Sequence, residues 1–117
     1  MSPLSAEQIA KLNYRYDDYA TYDDNATKIP GDPLIFRDAD GDAALHMAAI
    51  AEDVEAVSWL LNAGIDPNAL GDMGQTALHW AIANKNKEMA ELLVSFGART
   101  DIIDEFGIRS DLSVFED

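Results

Sequence analysis

The sequence contains no cysteine, only two histidines and far fewer basic than acidic residues. Without cysteine, a disulfide framework, a thiolate metal site and a cysteine nucleophile are excluded. No apolar run approaches the length that crosses a membrane. The N-terminal stretch also lacks the basic and apolar regions of a secretory signal. At this length, residues 1–117 are predicted to form a single domain. The absences predict that it lies in the cytoplasm.

Acidic residues greatly outnumber basic residues, and one long segment contains no basic residue. Eight Lys and Arg stand against 22 Asp and Glu, which gives a net charge of −14. Residues 38–70 contain no Lys or Arg at all. A surface of this sign repels nucleic acids and anionic membranes and speeds encounters with basic proteins. The charge therefore favours a basic protein partner, unless it serves solubility alone.

The chain contains an internal repeat. Residues at seven positions recur at an interval of 33, and the pairs are Gly41 and Gly74, Ala44 and Ala77, Leu45 and Leu78, His46 and His79, Ala48 and Ala81, Glu55 and Glu88, and Gly64 and Gly97. A repeat of this length indicates an array of small stacked units. The sequence of residues 74–81, GQTALHWA, with LLVSFG at 92–97, resembles the ankyrin repeat.

The resemblance implies an all-α ankyrin-repeat array in which each unit has a projecting turn, called a finger below, and two helices. It assigns residues 38–70 to a first repeat, 71–103 to a second, and 104–117 to a truncated third repeat that acts as a C-terminal cap. Residues 1–37 fall outside it and are predicted to form an N-terminal helical cap and a linker, because Pro30 and Pro33 prevent a helix there. The sequence departs from the family at Glu52 and Lys85, which replace the glycine between the helices.

Local patterns predict where the helices lie. Ser5 and Gln8 form the pattern of a capping box, and an apolar face follows at Ile9, Leu12, Tyr16 and Tyr19. This face is expected to pack on the first repeat. The repeat helices are predicted over residues 43–51, 53–63, 77–84 and 87–96, and Gly64 and Gly97 end the pairs.

Sites of chemistry are not indicated. His46 and His79 occupy the same place in successive repeats, and in ankyrin repeats this histidine links neighbouring turns, which favours a structural role over catalysis or metal binding. Residues 38–42 resemble the start of a calcium loop, but its glycine and closing glutamate positions are Ala43 and Ala49. We therefore expect no enzyme activity, no cofactor and no metal.

The resemblance also implies which residues contact a partner, because ankyrin proteins vary their fingers and inner helices for binding. The candidates are Asp38, Asp40 and Asp42 on the first finger, Asp72, Met73 and Gln75 on the second, Glu105, Phe106 and Ile108 on the third, and Ile50, Trp80 and Asn84 on the inner helices. Trp80 is the expected hot spot if its ring reaches the surface.

These observations predict a monomeric protein-binding module. The more specific hypothesis is a stoichiometric inhibitor of a basic cytosolic protein such as a toxin nuclease, by analogy with small bacterial ankyrin immunity proteins. The alternative is an adaptor or regulatory subunit that holds another cellular protein, with the acidic charge serving solubility.

Overall fold

The computed structural model describes residues 4–16, 21–22, 28–29 and 32–115. It contains helices α1 (Ala6–Arg15), α2 (Ala44–Ile50), α3 (Val54–Asn62), α4 (Ala77–Ala83) and α5 (Lys87–Ser95), and short 3-10 turns at Asp72–Gly74 and Ser113–Phe115. Strands β1 (Thr21–Tyr22) and β2 (Lys28–Ile29) form an antiparallel pair that the sequence did not predict. The predicted repeat helices are all present, with ends that differ by at most one residue, and the all-α array is confirmed.

Helix α1 begins at the predicted capping box. The Ser5 hydroxyl accepts from the Gln8 N–H at 3.1 Å, and the Gln8 side chain accepts from the Ser5 N–H at 3.0 Å. Leu12 is fully buried in the core, and Tyr16 packs against the same cluster, as expected. Tyr14, in contrast, is 89% exposed. Tyr19 lies outside the described residues.

The four repeat helices form two layers. Helix α2 packs against α4 in the inner layer, and α3 packs against α5 in the outer layer. Buried alanines let the inner helices approach closely, and leucines from both layers fill the space between them. The fully buried residues of this core are Ala44, Leu45, Ala48, Ala49, Ala56, Val57, Leu60, Ala77, Leu78, Ala81, Met89, Ala90 and Leu93. Within the described ranges, no helix is long and apolar enough to cross a membrane.

Three fingers project from the array at residues 37–43, 70–76 and 103–109, and they are called fingers 1, 2 and 3. Each is closed by one backbone hydrogen bond at the same register, from Asp38 N to Asp42 O, from Gly71 N to Gln75 O and from Asp104 N to Ile108 O. Each turns at a glycine with positive φ, namely Gly41, Gly74 and Gly107. The fingers therefore repeat with the same period as the helices.

The two histidines tie the fingers to the helices. His46 Nδ1 accepts from the Ala43 N–H at 2.8 Å, and its Nε2 donates to the Ala69 carbonyl at 2.8 Å. His79 Nδ1 accepts from the Thr76 N–H at 2.8 Å, and its Nε2 lies 3.1 Å from the Ile102 carbonyl. Because Nδ1 accepts from a backbone N–H, the ring proton is assigned to Nε2. The hydrogen bonds confirm the predicted structural role.

The turns between paired helices are strained. Glu52 and Lys85 adopt φ values of 57° and 54°, in the left-handed region that favours glycine. These are the positions at which the sequence departs from the family's glycine. The fold therefore accepts a local conformational cost in both repeats.

Candidate partner-binding surface

Hydrogen bonds join the three fingers into one row. The Asp72 N–H donates to Asp42 Oδ1 at 2.9 Å, which links finger 2 to finger 1. The Glu105 N–H donates to the Met73 carbonyl at 3.0 Å, which links finger 3 to finger 2. A second bond, from Gln75 Nε2 to Asp104 Oδ2 at 3.2 Å, supports the same junction. The row therefore presents its exposed side chains on a preorganised backbone.

Fingers 1 and 3 contain the same carboxylate brace. Asp38 Oδ1 accepts from the backbone N–H groups of Asp40 and Asp42 at 2.9 and 2.8 Å. Asp104 Oδ1 accepts from Phe106 and Ile108, both at 2.9 Å. Asp38, predicted as a partner contact, thus holds its own turn and is only partly exposed.

Ionisation of the carboxylate in finger 3 is stabilised by this brace. Burial disfavours the charged form of Asp104, but hydrogen bonds from the Ile108 N–H, the Gln75 side chain and the Phe106 N–H outweigh burial and lower the pKa of this carboxyl. The negative charge of Asp104 therefore stabilises the turn of finger 3 through the hydrogen bonds that its carboxylate accepts.

Finger 2 lacks this brace because the equivalent residue is Gly71. The Asp42 carboxylate from finger 1 takes its place, since a Cβ built on Gly71 would lie 2.2 Å from Asp42 Oδ1. Asp42 is only 8% exposed. Asp42, predicted as a partner contact, is therefore buried, because its carboxylate fills the space beside Gly71 and binds the Asp72 N–H.

The tip of finger 2 differs from the other tips. Met73 has a φ of 57°, in the left-handed region. The equivalent residues of fingers 1 and 3, Asp40 and Phe106, do not have positive φ. The Met73 side chain is 46% exposed, and Asp72 and Gln75 are half-buried. Of the predicted contacts on finger 2, Met73 is therefore the most exposed.

Residues 38–70 contain no Lys or Arg, but basic side chains from earlier in the chain contact them in the folded structure. Arg15 from α1 contacts the carboxylates of Asp53 and Glu55, and its guanidinium lies 5.1 Å from the centre of the Trp59 ring. Arg37 donates to the carbonyls of Gly41 and Leu70 at 2.8 and 3.1 Å. The acidic charge of the first repeat is therefore partly offset by residues before it.

Fingers 2 and 3 carry an exposed apolar surface that we call the apolar ridge. Its side chains are Leu70 (55% exposed), Met73 (46%), Ile103 (58%), Phe106 (65%) and Ile108 (54%). Met73, Phe106 and Ile108 were predicted as contacts, whereas Leu70 and Ile103 were not. These two are 33 positions apart and each starts a finger, so the repeat register could have identified them. Exposed apolar side chains grouped on neighbouring fingers favour a binding role for this surface.

The remaining predicted contacts are distributed around this ridge. Asp40 and Glu105 are exposed on fingers 1 and 3, and Asn84 is exposed at the end of α4. Ile50 is 43% exposed at the end of α2. Trp80 is half-buried and packs against the core, so a large part of its ring has a packing role. Within the described part of the chain, no three His, Asp or Glu side chains are grouped as metal ligands.

Curated proteins resemble part of this chain. The chain is 43% identical over 65 residues to the mitochondrial disaggregase of Bos taurus, which covers 56% of this chain and 10% of that protein. It is 40% identical over 63 residues to the neurogenic locus notch homolog protein 1 of Danio rerio, which covers 54% of this chain and 3% of that protein. The chain thus spans a tenth or less of the length of these relatives.

The family model described as ankyrin repeats (3 copies) matches residues 22–104. The match begins before finger 1, in the segment that sequence analysis assigned to the N-terminal cap, and includes fingers 1 and 2 with all four repeat helices. Together with the repeating finger and histidine hydrogen bonds, it identifies a protein-interaction module: this chain belongs to the ankyrin repeat family.

Proposed function

We propose that this chain binds another protein through the apolar ridge and the exposed ends of α2 and α4, and acts as an adaptor or regulatory subunit. The observation that supports this is the ridge itself, with five apolar side chains each 46–65% exposed on fingers whose backbones are hydrogen-bonded together. Burying such side chains contributes roughly 25 cal/mol per Å² of apolar area. A partner that covers the ridge would gain this contribution.

A stoichiometric inhibitor of a basic cytosolic protein, such as a toxin nuclease, is the second candidate. The net charge of −14 favours it, because a field of this sign speeds encounters with a cationic surface. Asp40 and Glu105 are exposed on fingers 1 and 3 and can make such a contact. Against it, Asp42 is buried and Asp38 is engaged in its own turn.

Affinity capture from the native host tests the proposed surface. The unmodified chain is compared with a Met73→Ser, Phe106→Ser variant, and captured proteins are quantified by mass spectrometry. Phe96→Ser is the matched control, since Phe96 is 38% exposed at the end of α5, beside the loop that contains Asp66. We expect one protein to be enriched by the unmodified chain and the control, and lost with the ridge variant. Equal enrichment by all three folded proteins would reject the ridge as the binding surface.

The captured protein then separates the two candidates. An inhibitor abolishes the partner's activity at a one-to-one ratio, whereas an adaptor leaves that activity measurable. The assay uses the purified partner and increasing amounts of the unmodified chain.

A further inference from the structure

We propose that the partner contributes a segment that is apolar where it crosses fingers 2 and 3 and cationic where it passes finger 1. This inference rests on the proposed function and specifies the chemistry of the partner at the same surface. It differs from the acidic-inhibitor hypothesis because most of the contact is apolar.

The character of the fingers changes along the row. The tip position is Asp40 in finger 1, Met73 in finger 2 and Phe106 in finger 3. The first position of each finger changes in the same way, from Arg37 through Leu70 to Ile103, a set of residues 33 positions apart. Two independent positions therefore change from charged in finger 1 to apolar in fingers 2 and 3.

Finger 1 has the charge to attract a cation. The Asp40 carboxylate is exposed and takes part in none of the ion pairs found among the described residues. Asp38, two positions before it, is partly exposed. Arg37 is the only cation within finger 1, and it is directed at the carbonyls of Gly41 and Leu70. Finger 1 thus has two carboxylates with exposed surface, those of Asp38 and Asp40, and one guanidinium, that of Arg37. This excess of negative charge favours a Lys or Arg of the partner at this end.

The spacing of the fingers limits the length of the segment. Neighbouring inner helices pack roughly 8–10 Å apart, so fingers 1 and 3 are separated by about 20 Å. An extended chain rises about 3.3 Å per residue, so about six residues cross the row. A second copy of this chain is a poor occupant, since each copy has a net charge of −14.

Two small probes test the two ends separately. The capped dipeptides acetyl-Leu-Phe-amide and acetyl-Lys-Lys-amide are added at millimolar concentration, the range for ligands of this size, to the ¹⁵N-labelled full chain. We expect the apolar probe to shift the amide signals of Met73, Glu105 and Phe106. We expect the cationic probe to shift that of Asp40.

Matched variants assign these shifts to the ridge and to finger 1. Phe106→Ser should remove at least half of the apolar probe's shift at finger 3, and Phe96→Ser should leave it unchanged. Asp40→Asn should remove at least half of the cationic probe's shift at finger 1. Asp66→Asn should leave it unchanged, because Asp66 lines a cavity with Phe96 that includes no residue of finger 1.

The proposal is overturned if the apolar probe shifts no signal on fingers 2 and 3, or if both probes shift the same finger. It is also overturned if the Phe96 and Asp66 control variants reduce the shifts as much as the finger variants. The proposed function is judged separately by affinity capture. If the ridge variant loses the partner but any of these overturning probe results is also found, the proposed binding function is retained. The proposal of an apolar and cationic partner segment is then rejected.

Discussion

The outer helices of the two repeats begin alike but have different neighbours. Asp53 caps α3 by accepting from the Ala56 N–H at 3.1 Å, and Asn86 caps α5 by accepting from the Met89 N–H at 3.1 Å. Asp53 also accepts from Arg15 at 3.0 Å and from the Tyr16 hydroxyl at 2.9 Å. The first repeat therefore uses a carboxylate where the second uses an amide, and this carboxylate also binds Arg15 of α1 and the adjacent Tyr16. The comparison shows that one repeat position can combine helix capping with docking.

The fingers differ in a related way. Finger 1 holds its turn with its own Asp38, whereas finger 2 has Gly71 there and depends on Asp42 from its neighbour. The Asp42 carboxylate of finger 1 thus stabilises the backbone of finger 2. Fingers 2 and 3 present the apolar ridge. This division of roles gives the following predictions.

The largest expected effect is that of Gly71→Ala. Its Cβ would lie 2.2 Å from Asp42 Oδ1 and 3.0 Å from the His46 ring. Displacing Asp42 combines overpacking with the loss of a buried hydrogen bond, so the free energy of unfolding should fall by about 3 kcal/mol. Denaturant unfolding measures it. Adding Asp42→Ala should recover at least ~1 kcal/mol by removing the closest contact, and a double variant no more stable than Gly71→Ala would contradict the Asp42–Gly71 pairing.

The next largest effect compares the two N-caps. Asn86→Ala removes a cap alone and should cost about 1 kcal/mol. Asp53→Ala removes the cap together with the Arg15 and Tyr16 contacts and should cost about 2–3 kcal/mol. Thermal or denaturant unfolding of both variants gives the difference. Equal losses would show that α1 gains nothing from Asp53.

The repeat pattern predicted the helices, and the ankyrin resemblance predicted the histidine hydrogen bonds, because both depend on residues inside each repeat. The contacts of Arg15 with Asp53 and Glu55 were not predictable, since they join residues 38 and 40 positions apart that no repeat relates. Burial of Asp42 was also missed, because its environment is set by the absence of a side chain at Gly71. Single-position patterns do not reveal such compensation between neighbouring fingers.

A pH-dependent loss of stability is expected from His46. Burial disfavours the charged ring and lowers its pKa from the ordinary 6.5, although the Ala69 carbonyl, Asp42 and Asp38 oppose the shift and Arg37 reinforces it. The unfolded chain therefore binds the proton more readily, so this stability is complete above pH 6.5 and is lost as pH falls below it.

Unfolding of the unmodified chain and of His46→Gln, measured at about pH 7.5 and about pH 5.5, tests the assignment. The variant should be less stable at the higher pH and should lose less stability between the two. The same pH dependence in both proteins would exclude His46 as its source.

The smallest effects concern the turn between paired helices, which has the same backbone conformation in each repeat. Glu52→Gly and Lys85→Gly place glycine at φ values of 57° and 54°, so relief of strain should raise the free energy of unfolding by up to ~1 kcal/mol in each case. The gains should be similar because the positions are equivalent. Lower stability in either variant would mean that its side chain contributes more than the strain costs.

The most direct test of the central claim, that the apolar ridge holds the partner and finger 1 contributes by charge, is a salt-dependent Kd measurement with the captured protein. Phe106→Ala should weaken binding by about tenfold or more at both about 0.05 M and about 0.5 M salt, because apolar contacts are not screened. Asp40→Asn should weaken it by a smaller factor that disappears at the higher concentration. A large, salt-sensitive loss with Asp40→Asn and no loss with Phe106→Ala would contradict the ridge and favour the acidic inhibitor.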